Sequence, residues 1–158
     1  MPGRLKERLL LNPDFRDMLS AFNEEKVDYL LVGAYALAVH GVPRATGDMD
    51  IWIRSTSENA HRVWCGLLKF GAPLSNLNEA DLTTSGIVFQ IGVAPSRIDI
   101  LTTIDGVDFA DAWKGRLEVN VEGLNIPVIS RSHLIQNKKT VGRPQDLADV
   151  ARLEGEDL

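Results

Sequence analysis

One cysteine, Cys65, is all the thiol that 158 residues carry, so an internal disulfide is excluded and a reducing, cytoplasmic setting is expected. Cys65 sits among Val63, Trp64 and Leu67, and core packing is the role expected of it. The three histidines, His40, His61 and His133, fall in separate segments and are assigned to neither a metal nor a catalytic base. Long apolar runs are missing: none approaches the roughly 18 residues of a membrane span, and no membrane association is expected. The opening MPGRLKERLLLNPDF has no apolar centre ending in a small-residue cleavage site, so a secretory signal is not expected. Positive charge is also short. Seventeen Lys and Arg face 22 Asp and Glu, a net charge of −5, which argues against broad, sequence-independent nucleic-acid binding but not against a local basic patch.

What is present reads as one α/β domain. A content of 44% hydrophobic and 25% charged residues is that of a globular chain, and this length can bury a substantial core. Phe15, Met18, Leu19 and Phe22 recur at helical spacing after Pro13, predicting a helix over 14–26 that covers one face of a sheet. Strands are predicted at 27–32 and from Asp48 to Ile53, with a short helix from Ala34 to His40 between them. A second long helix, capped by Ser55, Thr56 or Ser57, runs from about Glu58 to Phe70 and closes at Gly71. Residues 87–93 and 97–103 read as a hairpin, and RLEVNVEG with LNIPVIS as two further strands, with Pro127 assigning the latter to a sheet edge. A helix from Ser130 or Ser132 through Lys139 and a last one opening at Pro144 complete the chain. No repeat, linker or low-complexity tract divides it.

The stretch Leu31–Ile53, LVGAYALAVHGVPRATGDMDIWI, carries the chemistry. Strand alternation puts Asp48 and Asp50 on one face and Met49, Ile51 and Ile53 on the other. Two carboxylates so placed repel unless a cation lies between them, and hard oxygen donors select Mg²⁺ or Mn²⁺. Gly33, at a strand-to-helix turn fifteen residues earlier, lets backbone N–H groups approach an anionic oxygen. Asp99 in RIDIL, on a face shared with Arg97 and Leu101, is placed to be a third carboxylate.

This pattern resembles the nucleotidyltransferase superfamily: an apolar strand, Gly-Gly or Gly-Ser, about ten residues, then Asp-x-Asp or Asp-x-Glu. Closer still is the likeness to minimal bacterial nucleotidyltransferase-like proteins related to the toxins of abortive-infection toxin–antitoxin systems. RATGDMD resembles their Arg-x-Thr-x-Asp-x-Asp, and LIQNKKTVGRPQDLADVARLE their Leu-Ile-x-x-Lys…Arg-x-x-Asp-Leu-x-Asp pattern. The likeness spans about residues 15–154 and implies a single nucleotidyltransferase-like domain, a mixed β-sheet flanked by helices. By this resemblance Asp48, Asp50 and Asp99 are the catalytic, metal-holding carboxylates. Gly33, Ala34, Arg44, Thr46, Lys138 and Arg143 line the nucleotide site, with Lys139 an alternative to Lys138. Ala34 departs from the Ser of many active members and removes a hydroxyl that could bond the triphosphate.

The implied activity is transfer of a nucleoside monophosphate from an NTP to an RNA, protein or small-molecule acceptor, with Mg²⁺ or Mn²⁺ as cofactor. An antitoxin or other protein partner follows from the same likeness. Two alternatives stay open: an idle binding module that kept the fold, and a metal-dependent nuclease using the same acids. Blander roles stand beside these. Asp48 suits a turn, Asp99 a solvated strand face, Arg44 an ion pair with an aspartate, Lys138 and Lys139 a helix C-terminus, and Asp146 the first turn of the last helix.

Overall fold

The computed structural model describes residues 11–44, 47–93 and 95–155. In chain order the elements are α1 (Pro13–Glu24), β1 (Tyr29–Val32), α2 (Gly33–Val39), β2 (Asp48–Ile53), α3 (Ser57–Phe70), a 3-10 turn (Glu79–Thr83), β3 (Val88–Ile91), β4 (Arg97–Leu101), α4 (Phe109–Lys114), β5 (Leu117–Val121), β6 (Leu124–Val128), α5 (Arg131–Val141) and α6 (Pro144–Leu153). The strands form a single mixed sheet in the order β3-β4-β2-β1-β6-β5. β1 runs antiparallel to β2 and parallel to β6, while β2 runs parallel to β4.

The centre of the sheet is apolar because it is covered on both faces. Tyr29, Leu30, Leu31 and Val32 of β1 are all buried, as are Met49, Ile51, Trp52 and Ile53 of β2. Phe15, Met18, Leu19 and Phe22 of α1 join Ala60, Val63 and Leu67 of α3 in this core, each at most 1% exposed, as their helical spacing requires. The helix starts are written in the sequence: Asn12, Thr56 and Ser130 accept from the third backbone N–H of α1, α3 and α5. Pro144 opens α6 at the position where a missing N–H costs nothing.

Buried Asn59, which sequence periodicity does not single out, fastens α3 to the ends of two strands. Its amide accepts from Asp28 N–H at 2.7 Å and donates to the carbonyls of Asp28 and Arg54 at 2.9 and 2.8 Å. A buried amide satisfied on both sides in this way fixes where the helix begins relative to β1 and β2.

Pro127 does not mark an edge. β6 lies between β1 and β5, and β5 is the outer strand. The proline is tolerated there because the β1–β6 seam is short, a single register pair of Leu31 with Val128. Ile129 donates to the Leu31 carbonyl across that seam, so residue 127, two places earlier, faces the same way. The N–H that proline lacks is therefore lost where the ladder is already ending, and the β5 side keeps its pairing. Cys65 also departs from expectation. It is half-buried, and its Sγ lies 3.7 Å from His61 Nε2 one helical turn back, while His61 Nδ1 is 3.0 Å from Glu79 Oε1.

Candidate active site

The parallel pairing of β2 with β4 sets Asp50 opposite Asp99 and Asp48 opposite Arg97. All four side chains fall on one face by alternation, and they meet near the N-terminal end of β2. Asp99 is buried, at 7% exposure, while the Asp48 side chain is about one-third exposed. The Asp50 carboxyl is pushed up to about 6, first by burial, then by the negative charges of Asp99 and Asp48 and a hydrogen bond with Asp99, with Arg97 partly offsetting them. The three acids predicted from sequence are thus brought together on two adjacent strands.

Gly33 borders the same spot. β1 pairs Val32 with Asp50, and the chain turns directly into α2 at Gly33 with φ +68°. A Cβ added there would lie 2.3 Å from Asp50 Oδ2. The glycine is therefore needed twice: for its left-handed backbone, and because the Asp50 carboxylate occupies the space a side chain would take. Ala34 is the next residue of α2. The glycine turn and the paired acids form one feature.

Arg97 is the member that the sequence pattern placed on the right face without giving it a role. Its Nη2 donates to Asp48 Oδ2 at 2.7 Å, its Nε to Asp99 Oδ1 at 3.1 Å, and Nη2 also reaches Asp99 Oδ2 at 3.3 Å. Among the described residues no three His, Cys, Asp or Glu side chains are already gathered around a point where an ion could sit. Asp48 and Asp99 close on the guanidinium instead. The donor set itself suits a hard divalent cation: three carboxylates, one of them raised by burial and then by its acidic neighbours.

The remaining predicted residues form a second cluster. Lys138 of α5 points at α6, with Nζ 3.2 Å from Asp146 Oδ1 and 3.0 Å from Asp149 Oδ2; its side chain is 12% exposed and theirs 2% and 1%. Arg44 also pairs with Asp149, tying the segment that leads to β2 onto α6. Arg143, largely exposed, grips Asp146 through Nε at 2.6 Å and Nη2 at 3.2 Å. These hydrogen bonds, Arg143 first and Lys138 next, hold the Asp146 carboxyl down to about 2 despite its burial. Lys139 stays outside this cluster, mostly exposed and 3.6 Å from Glu154. Thr46 lies outside the described residues. A hollow of about 450 Å³ runs along α5 between Ser132, Ile135, Gln136, Lys139 and Thr140, so its walls include none of the three acids.

This mixed sheet flanked by helices is a fold shared with solved structures. Three of the solved structures that share it can be named. The Thermotoga maritima protein TM1012, a nucleotidyltransferase by provisional assignment, is 20% identical, covers 93% of this chain and 96% of its own, and superposes with a TM-score of 0.62. The antibiotic-resistance factor ANT(2'')-Ia is 16% identical over 89% of this chain and 80% of its own, with a TM-score of 0.58. The lincosamide antibiotic adenylyltransferase LnuA, in its lincomycin-bound form, is 17% identical over 93% of this chain and 98% of its own, with a TM-score of 0.57. No family model matches the chain, and no curated protein matches it in sequence. The likeness is one of fold. No described helix is long and apolar enough to cross a membrane.

Proposed function

We propose that the protein is a metal-dependent nucleotidyltransferase that moves a nucleoside monophosphate from an NTP to the hydroxyl of an acceptor and releases pyrophosphate. The observation that carries this reading is the meeting of Asp48, Asp50 and Asp99 on adjacent strands against the Gly33 turn. Asp48 and Asp50 are the residues that would hold Mg²⁺ or Mn²⁺, with Asp99 as a further ligand. Such an ion supplies Lewis acidity toward phosphate oxygens and offsets their charge. The chain's own groups do the rest. Backbone N–H groups at the start of α2 would receive an oxygen of the triphosphate, and Asp99, buried beside Asp50, takes the acceptor's hydroxyl proton as the acceptor oxygen bonds the α-phosphorus and the bond to pyrophosphate breaks.

Two of the structural neighbours named above are tied by name to antibiotics, so a small hydroxylated molecule joins RNA and protein among the acceptors to test. Membership of a toxin–antitoxin pair, with a protein partner, belongs to the same proposal. The test is incubation with labelled NTPs, Mg²⁺ and cell extract, followed by identification of what becomes labelled. Asp48→Ala and Asp50→Ala are each expected to abolish transfer while the variants still melt cooperatively; full turnover in either removes the assignment. A second reading, an idle module, draws on Ala34 in place of a hydroxyl. Calorimetry with ATP and Mg²⁺ separates the two, since an idle module shows no saturable, metal-dependent nucleotide binding.

A further inference from the structure

Resting on the nucleotidyltransferase reading, we propose that Arg97 is a built-in counter-cation which changes partners during loading: it neutralises Asp48 and Asp99 in the unloaded site, gives them up to the divalent ion, and moves to the triphosphate that arrives with it. Three hydrogen bonds carry the first half. A single guanidinium spans the acid of β2 and the acid of β4, at 2.7, 3.1 and 3.3 Å, in the fork geometry that suits carboxylates. Without it, three carboxylates stand together on one strand face with Asp99 buried, an arrangement that self-repulsion opposes.

The second half follows from charge and reach. An ion that claims Asp48 and Asp99 leaves a guanidinium about one-third exposed on the sheet face that carries the acids, with those two acceptors gone. A triphosphate brings oxygens that accept from the same fork, since phosphate and carboxylate present like geometry to arginine. The ion alone must therefore displace Arg97 without compensation, whereas ion and triphosphate together let Arg97 exchange one anion for another. The two ligands become positively coupled through one side chain.

The experiment measures binding rather than turnover. Free Mn²⁺ is followed by its paramagnetic resonance signal, first with the protein alone and then with an ATP analogue whose α–β bridge cannot be cleaved. Arg97→Met is expected to bind Mn²⁺ alone at least tenfold more tightly than wild type, and the Mn²⁺-loaded analogue at least tenfold more weakly. Opposite signs in one variant are the signature. Mn²⁺ is also expected to raise the melting temperature of the variant more than that of wild type. Arg97→Lys keeps the charge without the fork and gives smaller shifts of the same signs, at least threefold; it decides the matter if the Met variant does not fold. Unchanged or weaker Mn²⁺ binding on loss of Arg97, or tighter binding of both ligands, overturns the exchange while leaving the metal site standing. No saturable binding of the loaded analogue to wild type removes the nucleotidyltransferase reading, and the exchange with it.

Discussion

Replacing Gly33 by alanine tests the geometry at the heart of the site, and its two costs can be separated. The first is conformational: φ is +68°, and a residue with a Cβ held there costs about 1–2 kcal/mol. The second is steric. The new methyl would lie 2.3 Å from Asp50 Oδ2 and 3.1 Å from its Cγ, so the carboxylate must move, and crowding of this kind costs about 1–3 kcal/mol. Together these give roughly 2–5 kcal/mol, against the 5–15 kcal/mol that typically holds a domain folded. At about 2–4 °C per kcal/mol for a chain of this size, melting should fall by about 4–20 °C, with a cooperative transition retained. Gly71→Ala is the control. Its φ is +89°, yet nothing lies within 4 Å of an added Cβ, so only the conformational cost of about 1–2 kcal/mol should appear. The decisive measurement is a double-mutant cycle by urea denaturation. Asp50→Ala removes Oδ2 and Cγ and leaves Cβ at 3.3 Å, so about 1–3 kcal/mol of the Gly33→Ala penalty should vanish in that background. An equal penalty in both backgrounds, within about 0.5 kcal/mol, would show that Gly33 is a turn glycine alone and that its link to the acid is mistaken.

Three further outcomes are expected. Because the folded Asp50 carboxyl is raised from 3.8 to about 6, ionising it opposes folding: wild type should lose stability as pH rises from about 4 to 6, and Asp50→Asn should gain on it by at most about 3 kcal/mol, levelling off above pH 6 in urea titrations. Lys138→Met leaves Asp146 and Asp149 buried with fewer counter-charges and should cost about 2–4 kcal/mol of unfolding free energy, whereas Lys139→Met, whose charge is mostly exposed, should cost under about 1. Asn59→Ala strips three hydrogen bonds of 2.7–2.9 Å from the start of α3 and should cost about 2–4 kcal/mol; a loss below about 1 in thermal or urea melts contradicts the part given to this amide.

Much of the fold is local, and that much is legible in the sequence. Period 3.6 in α1 and α3, an acceptor side chain before each, the proline that opens α1 and the glycine that closes α3 are short-range properties that the folded chain keeps. The alternation of β2 and β4 likewise fixes which side chains share a face. Pro127 shows the limit of such rules. Proline in a strand points to an edge only if every neighbouring ladder is complete, and whether β1 extends far enough to need that N–H is a tertiary matter. Lys138 shows another. At the end of α5 it has a local reason to be basic, but its actual partners lie on α6, brought within 3.0–3.2 Å by the turn between the two helices.

Arg97 marks where reading the chain alone stops, and why. Alternation in RIDIL puts Arg97 and Asp99 on one face, so an ion pair within the strand is foreseeable. The bond to Asp48 is not, because it depends on the register between β2 and β4. In the parallel pairing observed, Asp48 meets Arg97 and Asp50 meets Asp99. A slip of one residue would set Asp99 against Met49, and since side-chain direction has a period of two, it would send Asp99 and Arg97 to the opposite face from the other acids. The hydrophobic partners make that slip expensive: Ile98 and Ile100 of β4 would leave the core, where each is at most 1% exposed. At about 1.5–3 kcal/mol for each buried aliphatic side chain, these two set about 3–6 kcal/mol against spreading the three carboxylates apart. The apolar face of these two strands thus compels the acids of the other face to converge, and Arg97 makes that convergence tolerable before any ligand arrives.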